Sequence, residues 1–107
     1  DIHDDGDPDS SCLVYYYKAL AYTKKKDYPM AKAAFFKEFE LRKKHQGWEN
    51  EDTIVACQNL GVLHKYCYER KDALACFREA YGHEVKRNGE DSELARTLLQ
   101  YISVVES

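Results

Sequence analysis

Proline and glycine are scarce in this sequence, whose 107 residues include two prolines, both before residue 30, and five glycines. An all-β domain needs many turn residues, so this scarcity argues against one. Long apolar runs are also missing, because no stretch approaches the roughly 20 residues that span a bilayer. Residues 1–9 carry five acids and no Lys or Arg, so we expect no secretory signal at this end.

Paired cysteine motifs are missing as well. Cys12, Cys57, Cys67 and Cys76 form no C-x-x-C pair, and their spacings match no zinc framework. We expect buried thiols in a reducing compartment rather than disulfides, and therefore an intracellular, cytoplasmic address. Because the chain does not begin with Met, we also expect it to be one domain of a longer protein.

Catalytic and cofactor motifs are absent too: the sequence has no P-loop, no GxGxxG and no HExxH. The four histidines are scattered, and none is paired with a cysteine by a defensible spacing. We expect His64 to be a packing residue. The sequence therefore predicts no enzyme, no cofactor and no metal site.

Charge is present but unevenly distributed around a net value of −3. Residues 18–44 carry nine Lys or Arg against three acids, whereas residues 45–107 carry seven against eleven. The basic middle could meet an acidic peptide or a phosphate backbone. A solvated helix face is the other explanation, and the sequence leaves both open.

The most informative feature is an internal repeat with an offset of 42 residues. Small, aromatic and glycine positions coincide in an ungapped register, which chance does not readily produce. The matching pairs are Ala31 with Ala73, Ala33 with Ala75, Phe35 with Phe77, Lys44 with Lys86, Gly47 with Gly89, Glu51 with Glu93, Gln58 with Gln100 and Val62 with Val104.

Each unit predicts two helices. Asp7 can cap the first helix with Pro8 in its first turn, and Gly47 and Gly89 stand where helices end. No stretch predicts a strand. Two and a half units follow an acidic extension of residues 1–9, and the five helices are expected at about residues 10–25, 28–45, 52–68, 71–88 and 92–106.

The period, the helix pairs and the placed small and aromatic residues resemble the tetratricopeptide repeat (TPR). At 42 residues the unit is longer than the common 34 and is similar to the kinesin-light-chain type. The resemblance implies an all-α fold of antiparallel helix pairs stacked as a right-handed α-solenoid. Lys18, Glu38 and His64 depart from the pattern, which is carried by Ala19, Tyr22, Ala31 and Phe35 in the first unit and by Leu60, Gly61, Ala73, Phe77 and Ala80 in the second.

The resemblance also implies that the first helix of each pair lines a concave groove that holds a partner's peptide, as in a scaffold or adaptor. Amides in the groove can pair with a peptide backbone, and tyrosines add contact area. Gln and Asn on a wetted surface are the simpler explanation. Lys24 and Lys65 would favour an acidic ligand, and Tyr15 is expected to pack inside. The expected contact residues are Tyr16, Tyr17, Leu20, Lys24, Gln58, Asn59, Val62, Lys65, Tyr66, Gln100 and Tyr101.

Two other functions remain open at this point. The last helix lacks a partner helix, so the chain could self-associate as part of a cytoskeletal or transport complex. A helical repeat can also bind RNA, one base per unit. The apolar residues expected to be exposed on the last helix are Leu98, Leu99, Ile102 and Val105, and the lysines available for RNA are Lys24, Lys25, Lys26, Lys32, Lys37, Lys43 and Lys44.

Overall fold

The computed structural model describes residues 8–107, with side chains from Ser10 onward. Its five α-helices are α1 (Pro8–Lys24), α2 (Tyr28–His45), α3 (Glu51–Tyr66), α4 (Arg70–Asn88) and α5 (Glu93–Glu106), and these residues contain no strand. The all-α expectation is confirmed, and each helix end lies within two residues of its predicted place. The expected cap Asp7 lies outside the described residues. No helix in residues 8–107 has the length and apolar character needed to cross a membrane.

The connections between helices recur with the same 42-residue offset. Lys26, between α1 and α2, lies in the left-handed region at φ 63°, and Tyr68, between α3 and α4, does so at φ 62°. In the longer connections Gly47 and Gly89 take φ values of 74° and 87°, which glycine adopts without strain. The chain therefore turns with matching backbone conformations in both units.

Side chains at repeated positions cap the helices. Asn50 and Ser92 accept hydrogen bonds from backbone N–H groups in the first turns of α3 and α5, at 2.8 and 3.1 Å. Asp27 does the same for α2 at 3.4 Å. These bonds satisfy donors that a helix leaves open at its start. Glu69, the equivalent of Asp27, makes no cap because its carboxylate is bound elsewhere.

Each helix packs mainly against its neighbours in sequence, α1 on α2, α2 on α3, α3 on α4 and α4 on α5. The connections are short, and short connections join antiparallel neighbours. A stack of this kind is quasi-one-dimensional, since every element relies on the one before and the one after it. The odd-numbered helices are therefore positioned by the even-numbered helices between them.

Small residues facing aromatic rings build the core. Ala19 and Gly61 occupy equivalent buried positions, as do Phe35 and Phe77. A Cβ placed on Gly61 would lie 2.7 Å from Cε1 of Phe77, so α3 approaches that ring more closely than any side chain at this position would allow. Tyr101 of α5 stacks on the same ring with centroids 4.9 Å apart. Three helices therefore meet at Phe77.

The connection between α2 and α3 is held by Trp48. Its ring stacks on His83 of α4 at a centroid distance of 3.9 Å and contacts Phe39 of α2 at 5.5 Å. This contact ties the start of α3 to both even-numbered helices. No motif in the sequence predicts this contact.

The expectation about which tyrosine of α1 packs inside is wrong. Tyr16, rather than Tyr15, packs against the core and contacts Phe35 at a centroid distance of 6.4 Å. The two tyrosines lie on opposite sides of the stripe of the fully buried Cys12 and Ala19, and the side of Tyr16 is the one that faces Phe35 of α2.

The exposed apolar surface of α5 also differs from the expectation. Leu98 is fully buried, and Ile102 and Val105 are half-buried against the core. The exposed residues are Leu99 at 43% and Val104 at 58%. Contact with α4 accounts for this, since the face of α5 that carries Leu98 is the one that packs.

The contact at Gly61 predicts opposite effects for two glycine substitutions. Gly61→Ala places a methyl group against the buried Phe77 ring, and we expect a loss of about 1–3 kcal/mol in the free energy of unfolding. Gly82→Ala, in α4 with open space around it, should gain about 0.5–1 kcal/mol through helix propensity. Urea unfolding followed by circular dichroism measures both. Equal stability of the two variants would contradict the close approach.

Candidate partner-binding face

Helices α1, α3 and α5 share one surface, which we call the odd-helix face. Two cavities open on it, one between α1 and α3 and one between α3 and α5, and each has an even-numbered helix behind it. None of the eleven residues predicted to contact a partner is fully buried. Tyr17 is 62% exposed, Leu20 41% and Tyr66 47%. The other exposed ones are Lys24, Lys65 and Gln100, and the half-buried ones are Tyr16, Gln58, Asn59, Val62 and Tyr101.

The structure brings only some of these residues together. Tyr16 and Asn59 line the first cavity, and Gln58 lines the second. Tyr101 and Tyr66 stack on aromatic rings of the even-numbered helices, and Val62 packs on the core, so these three side chains also support the fold. The remaining five line neither cavity: Tyr17, Leu20, Lys24, Lys65 and Gln100.

The first cavity has a volume of about 540 Å³. Leu13 and Val55 give it aliphatic walls, and the remaining lining groups are polar or charged. Amides, a phenol, two carboxylates and a guanidinium group converge here. These groups are Tyr16, Glu38, Arg42, Gln46, Asn50, Asp52 and Asn59.

The second cavity, of about 350 Å³, is the repeat of the first. Six of its eight lining residues are equivalent, at the offset of 42, to residues that line the first. The position of Arg42 in the first cavity is taken by Glu84 in the second, so a carboxylate replaces a guanidinium group in the floor. The lining residues are Glu51, Gln58, Glu84, Asn88, Ser92, Glu93, Leu94 and Thr97.

The floor of the first cavity is a buried ion pair. Nε of Arg42 donates to Oε2 of Glu38 at 2.6 Å, and Nη1 of Arg42 lies 3.6 Å from Oδ2 of Asp52. Burial raises the pKa of the Glu38 carboxyl, and the bond from Arg42 opposes that rise. Glu38 is only 3% exposed, and its second oxygen, Oε1, has no hydrogen-bond partner within the described chain.

The floor of the second cavity is a buried carboxylate with donors on both oxygens. Oε1 of Glu84 accepts from Arg87 at 3.2 Å, and Oε2 accepts from Ser92 at 2.7 Å and from Asn88 at 3.2 Å. In this cavity the acceptor that lacks a partner in the described chain is Oε1 of Gln58. Each cavity is therefore lined by a side chain with a buried oxygen that has a free capacity to accept a hydrogen bond.

A second polar cluster lies away from these cavities and joins α2, α3 and the start of α4. Nζ of Lys32 lies 2.8 Å from both oxygens of Glu69, and Nδ1 of His64 lies 2.7 Å from Oε1. These two hydrogen bonds lower the pKa of Glu69. His64, which was expected to be a packing residue, is half-buried and its ring also bonds the Glu69 carboxylate.

The same cluster has the residue types of a metal site. Ligand atoms of His64, Glu69 and Asp72 lie within 4.8 Å of one another. The ammonium group of Lys32 already contacts both Glu69 oxygens, however, and supplies the positive charge that an ion would bring. The geometry is that of an ion pair between Lys32 and Glu69 rather than that of a metal site.

The charged side chains in the floors of both cavities were not predicted from the sequence. Glu38 stands where the second unit has Ala80, and Arg42 stands where it has Glu84. The sequence did contain a signal for this floor, because a charged residue in one unit stands where the other unit has a small one. The spacing of four between Glu38 and Arg42 supports a pair on one helix face, which the structure shows.

The buried pair predicts a pH-dependent response to its removal. Arg42→Met leaves the Glu38 carboxylate buried without its counter-charge, and we expect a loss of about 3–5 kcal/mol in unfolding free energy near pH 7. Without Arg42 the pKa of Glu38 rises further, so the folded state takes up a proton at higher pH than the unfolded chain. The deficit should therefore shrink as the pH falls through that raised pKa.

Urea unfolding of wild type and variant between pH 7.5 and pH 4.5 measures this response. Lys43→Met is the matched control, because Lys43 is an exposed cation of the same helix with a weak partner 3.8 Å away. The double variant Glu38→Gln with Arg42→Met should recover stability at pH 7. A deficit for Arg42→Met that does not change with pH would exclude an ionised Glu38 as its cause.

No protein-family model matches the sequence, and no curated protein matches it significantly. A function has to be inferred from the geometry of the odd-helix face itself.

Proposed function

We propose that this chain is a protein-interaction module, a TPR-like segment of a scaffold or adaptor that holds a peptide of a partner protein on its odd-helix face. The observation that carries this proposal is the recurrence of the same cavity in successive units. Repeat proteins bind extended partners on surfaces of this kind, because equivalent positions recur at regular intervals along the stack. Two adjoining sites of related chemistry suit a chain molecule better than one small ligand.

The chemistry of the face supports a peptide. The amides of Gln58 and Asn59 offer both donors and acceptors, so they can pair with backbone N–H and C=O groups of an extended segment. Tyr17 and Leu20 add exposed aromatic and aliphatic area beside the cavities. A partner would therefore gain backbone pairing from the amides and apolar burial from these side chains.

The proposed setting is intracellular, with a cytoplasmic and cytoskeleton-associated role as in the kinesin-light-chain type. The thiols support it, because Cys12 and Cys57 are buried and Cys67 and Cys76 are half-buried. Small buried thiols suit a reducing compartment, where they pack as apolar groups. Fractionation of the natural protein tests this setting.

Self-association is the second candidate function. Leu99 and Val104 of α5 are exposed apolar side chains, and no helix follows α5 within residues 8–107. A second copy could cover them and extend the stack. Light scattering at high concentration decides, since a monomer would exclude this candidate and a dimer that Val104→Glu dissociates would support it.

RNA binding is the third candidate and rests on the basic middle of the chain. Lys25, Lys26, Lys37, Lys43 and Lys44 are exposed, and none lines either cavity of the odd-helix face. Binding through phosphates loses orders of magnitude in affinity from low to moderate salt. A steep fall of RNA affinity with rising salt concentration would favour this candidate. Peptide binding whose affinity falls only modestly with salt would exclude it.

The peptide proposal predicts the effect of removing two groups from the face. Tyr17→Ala with Asn59→Ala should weaken peptide binding by about tenfold or more, through lost contact area and a lost backbone hydrogen bond. The helical circular dichroism signal should stay unchanged. Peptides selected from an unbiased display library provide the probes, and fluorescence anisotropy provides the affinity.

The control is Tyr68→Ala, which removes a tyrosine that is 95% exposed in the turn between α3 and α4 and lines neither of the two cavities. It should leave affinity within about twofold of wild type. Unchanged affinity in the Tyr17 and Asn59 double variant would show that peptides bind another surface.

A further inference from the structure

The two cavities of the odd-helix face carry an excess of negative charge. Glu38 and Asp52 line the first cavity, and the three glutamates at positions 51, 84 and 93 line the second. The guanidinium groups available to them are Arg42, which lines the first cavity, and Arg87, which contacts Glu84 and Glu51. Five carboxylates thus face two guanidinium groups, so the cavities together hold three uncompensated negative charges.

The helix dipole accounts for only part of this excess of negative charge. Glu51, Asp52 and Glu93 lie in the first turns of α3 and α5, where acids interact favourably with the helix dipole. Glu84 lies near the end of α4, where the dipole disfavours an acid, and Glu38 lies inside α2. These two carboxylates are buried in the cavity floors, and the dipole gives no reason for their presence.

The unpartnered oxygens give the second, independent indication. The Glu38 side chain lines the first cavity and is only 3% exposed, and its Oε1 is a buried oxygen without a hydrogen-bond partner in the described chain. Arg42 does not supply the missing bond, because its Nε donates to the other oxygen. Leaving such an acceptor without a hydrogen bond destabilises the folded chain, and more so when the group is charged. A ligand that brings an N–H donor into the cavity would offset that cost.

We propose that the odd-helix face binds a basic segment of a partner protein, with Lys or Arg side chains entering the two cavities. Glu38 accepts from a side chain in the first cavity and Gln58 from one in the second. Leu13 and Val55 contact the methylene stem of the first side chain, and the Tyr16 ring stands beside its charged end. This inference rests on the proposed peptide-binding function and specifies the partner's chemistry.

The lysines that suggested an acidic ligand do not oppose this assignment. Lys24 and Lys65 line neither cavity, since both lie at the far ends of α1 and α3. The cavities lie near the first halves of these helices, at Leu13, Tyr16, Val55 and Asn59. An acidic segment would have to bind at the other end of the face, and a glutamate peptide tests that outcome.

The test uses three fluorescein-labelled 12-residue peptides of glycine, alanine and serine that carry four arginines, four glutamines or four glutamates. Anisotropy titrations with the full chain should show binding of the arginine peptide and at least tenfold weaker binding of the other two. A tenfold change in affinity corresponds to about 1.4 kcal/mol, which is what one buried hydrogen bond to a charged acceptor contributes. Affinity should fall with added salt, because part of it is electrostatic.

Variants locate the site of binding. Glu38→Gln should weaken the arginine peptide about tenfold, and Asp52→Asn, an exposed change that leaves the core intact, should weaken it about threefold. Glu79→Gln removes an exposed acid of α4 that lines neither cavity and should change affinity by less than twofold. Equal affinity of the wild type and the Asp52 and Glu38 variants would overturn the proposal.

Failure of this inference can be told apart from failure of the peptide-binding function. Library peptides without basic residues, whose affinity still depends on Tyr17 and Asn59, would overturn the basic-segment proposal and retain the function. Stronger binding of the glutamate peptide would do the same and would direct attention to Lys24 and Lys65. If no peptide depends on the odd-helix face, both proposals are wrong.

Discussion

The stack depends on the close approach of α3 to Phe77. Because Gly61 has no side chain, the backbone of α3 lies against the Phe77 ring, and Tyr101 stacks on the same ring from α5. In a one-dimensional stack each interface positions the next element, so this contact sets where α3 and α5 stand relative to α4. The second cavity lies between those two helices, and its width follows from a contact made in the core.

Differences between the two units, rather than their common pattern, make the odd-helix face specific. Several of the shared small and aromatic residues pack in the core, as the fully buried Ala31 and Ala73 show. The residues that line the cavities differ from unit to unit. Arg42 pairs with Glu38 in the first, whereas Glu84 in the second is held by Arg87, Asn88 and Ser92. One scaffold therefore presents two floors with different charged groups, an arginine–glutamate pair in the first and a hydrogen-bonded carboxylate in the second.

Helix positions were predictable because they rest on local signals. The offset of 42, together with Gly47 and Gly89, placed the helix ends within two residues of the observed ones. Side-chain directions were less predictable. Three consecutive tyrosines give no local reason to bury one over another, and it is the contact with Phe35 of α2 that decides for Tyr16.

The charged floors of the cavities escaped prediction for a different reason. A helical pattern that contains Glu38 and Arg42 can be drawn equally well with both side chains in solvent, and only the packing of α1 and α3 over α2 buries them. The same holds for His64, whose spacing suggested a core position until Glu69 and Lys32 were placed beside it. Burial of a charge is a tertiary property, and periodicity does not report it.

Stability alone gives no reason to keep Glu38 where it is. Replacing a buried ion pair by apolar residues of similar volume is often neutral or stabilising by about 1–4 kcal/mol, and the second unit has Ala80 at this position. The repeat thus contains its own example of a simpler solution. Local choices that conflict with the rest of a fold concentrate at functional sites. A buried carboxylate with one oxygen unpaired, in the wall of an open cavity, is such a conflict, and a donor from a bound partner resolves it.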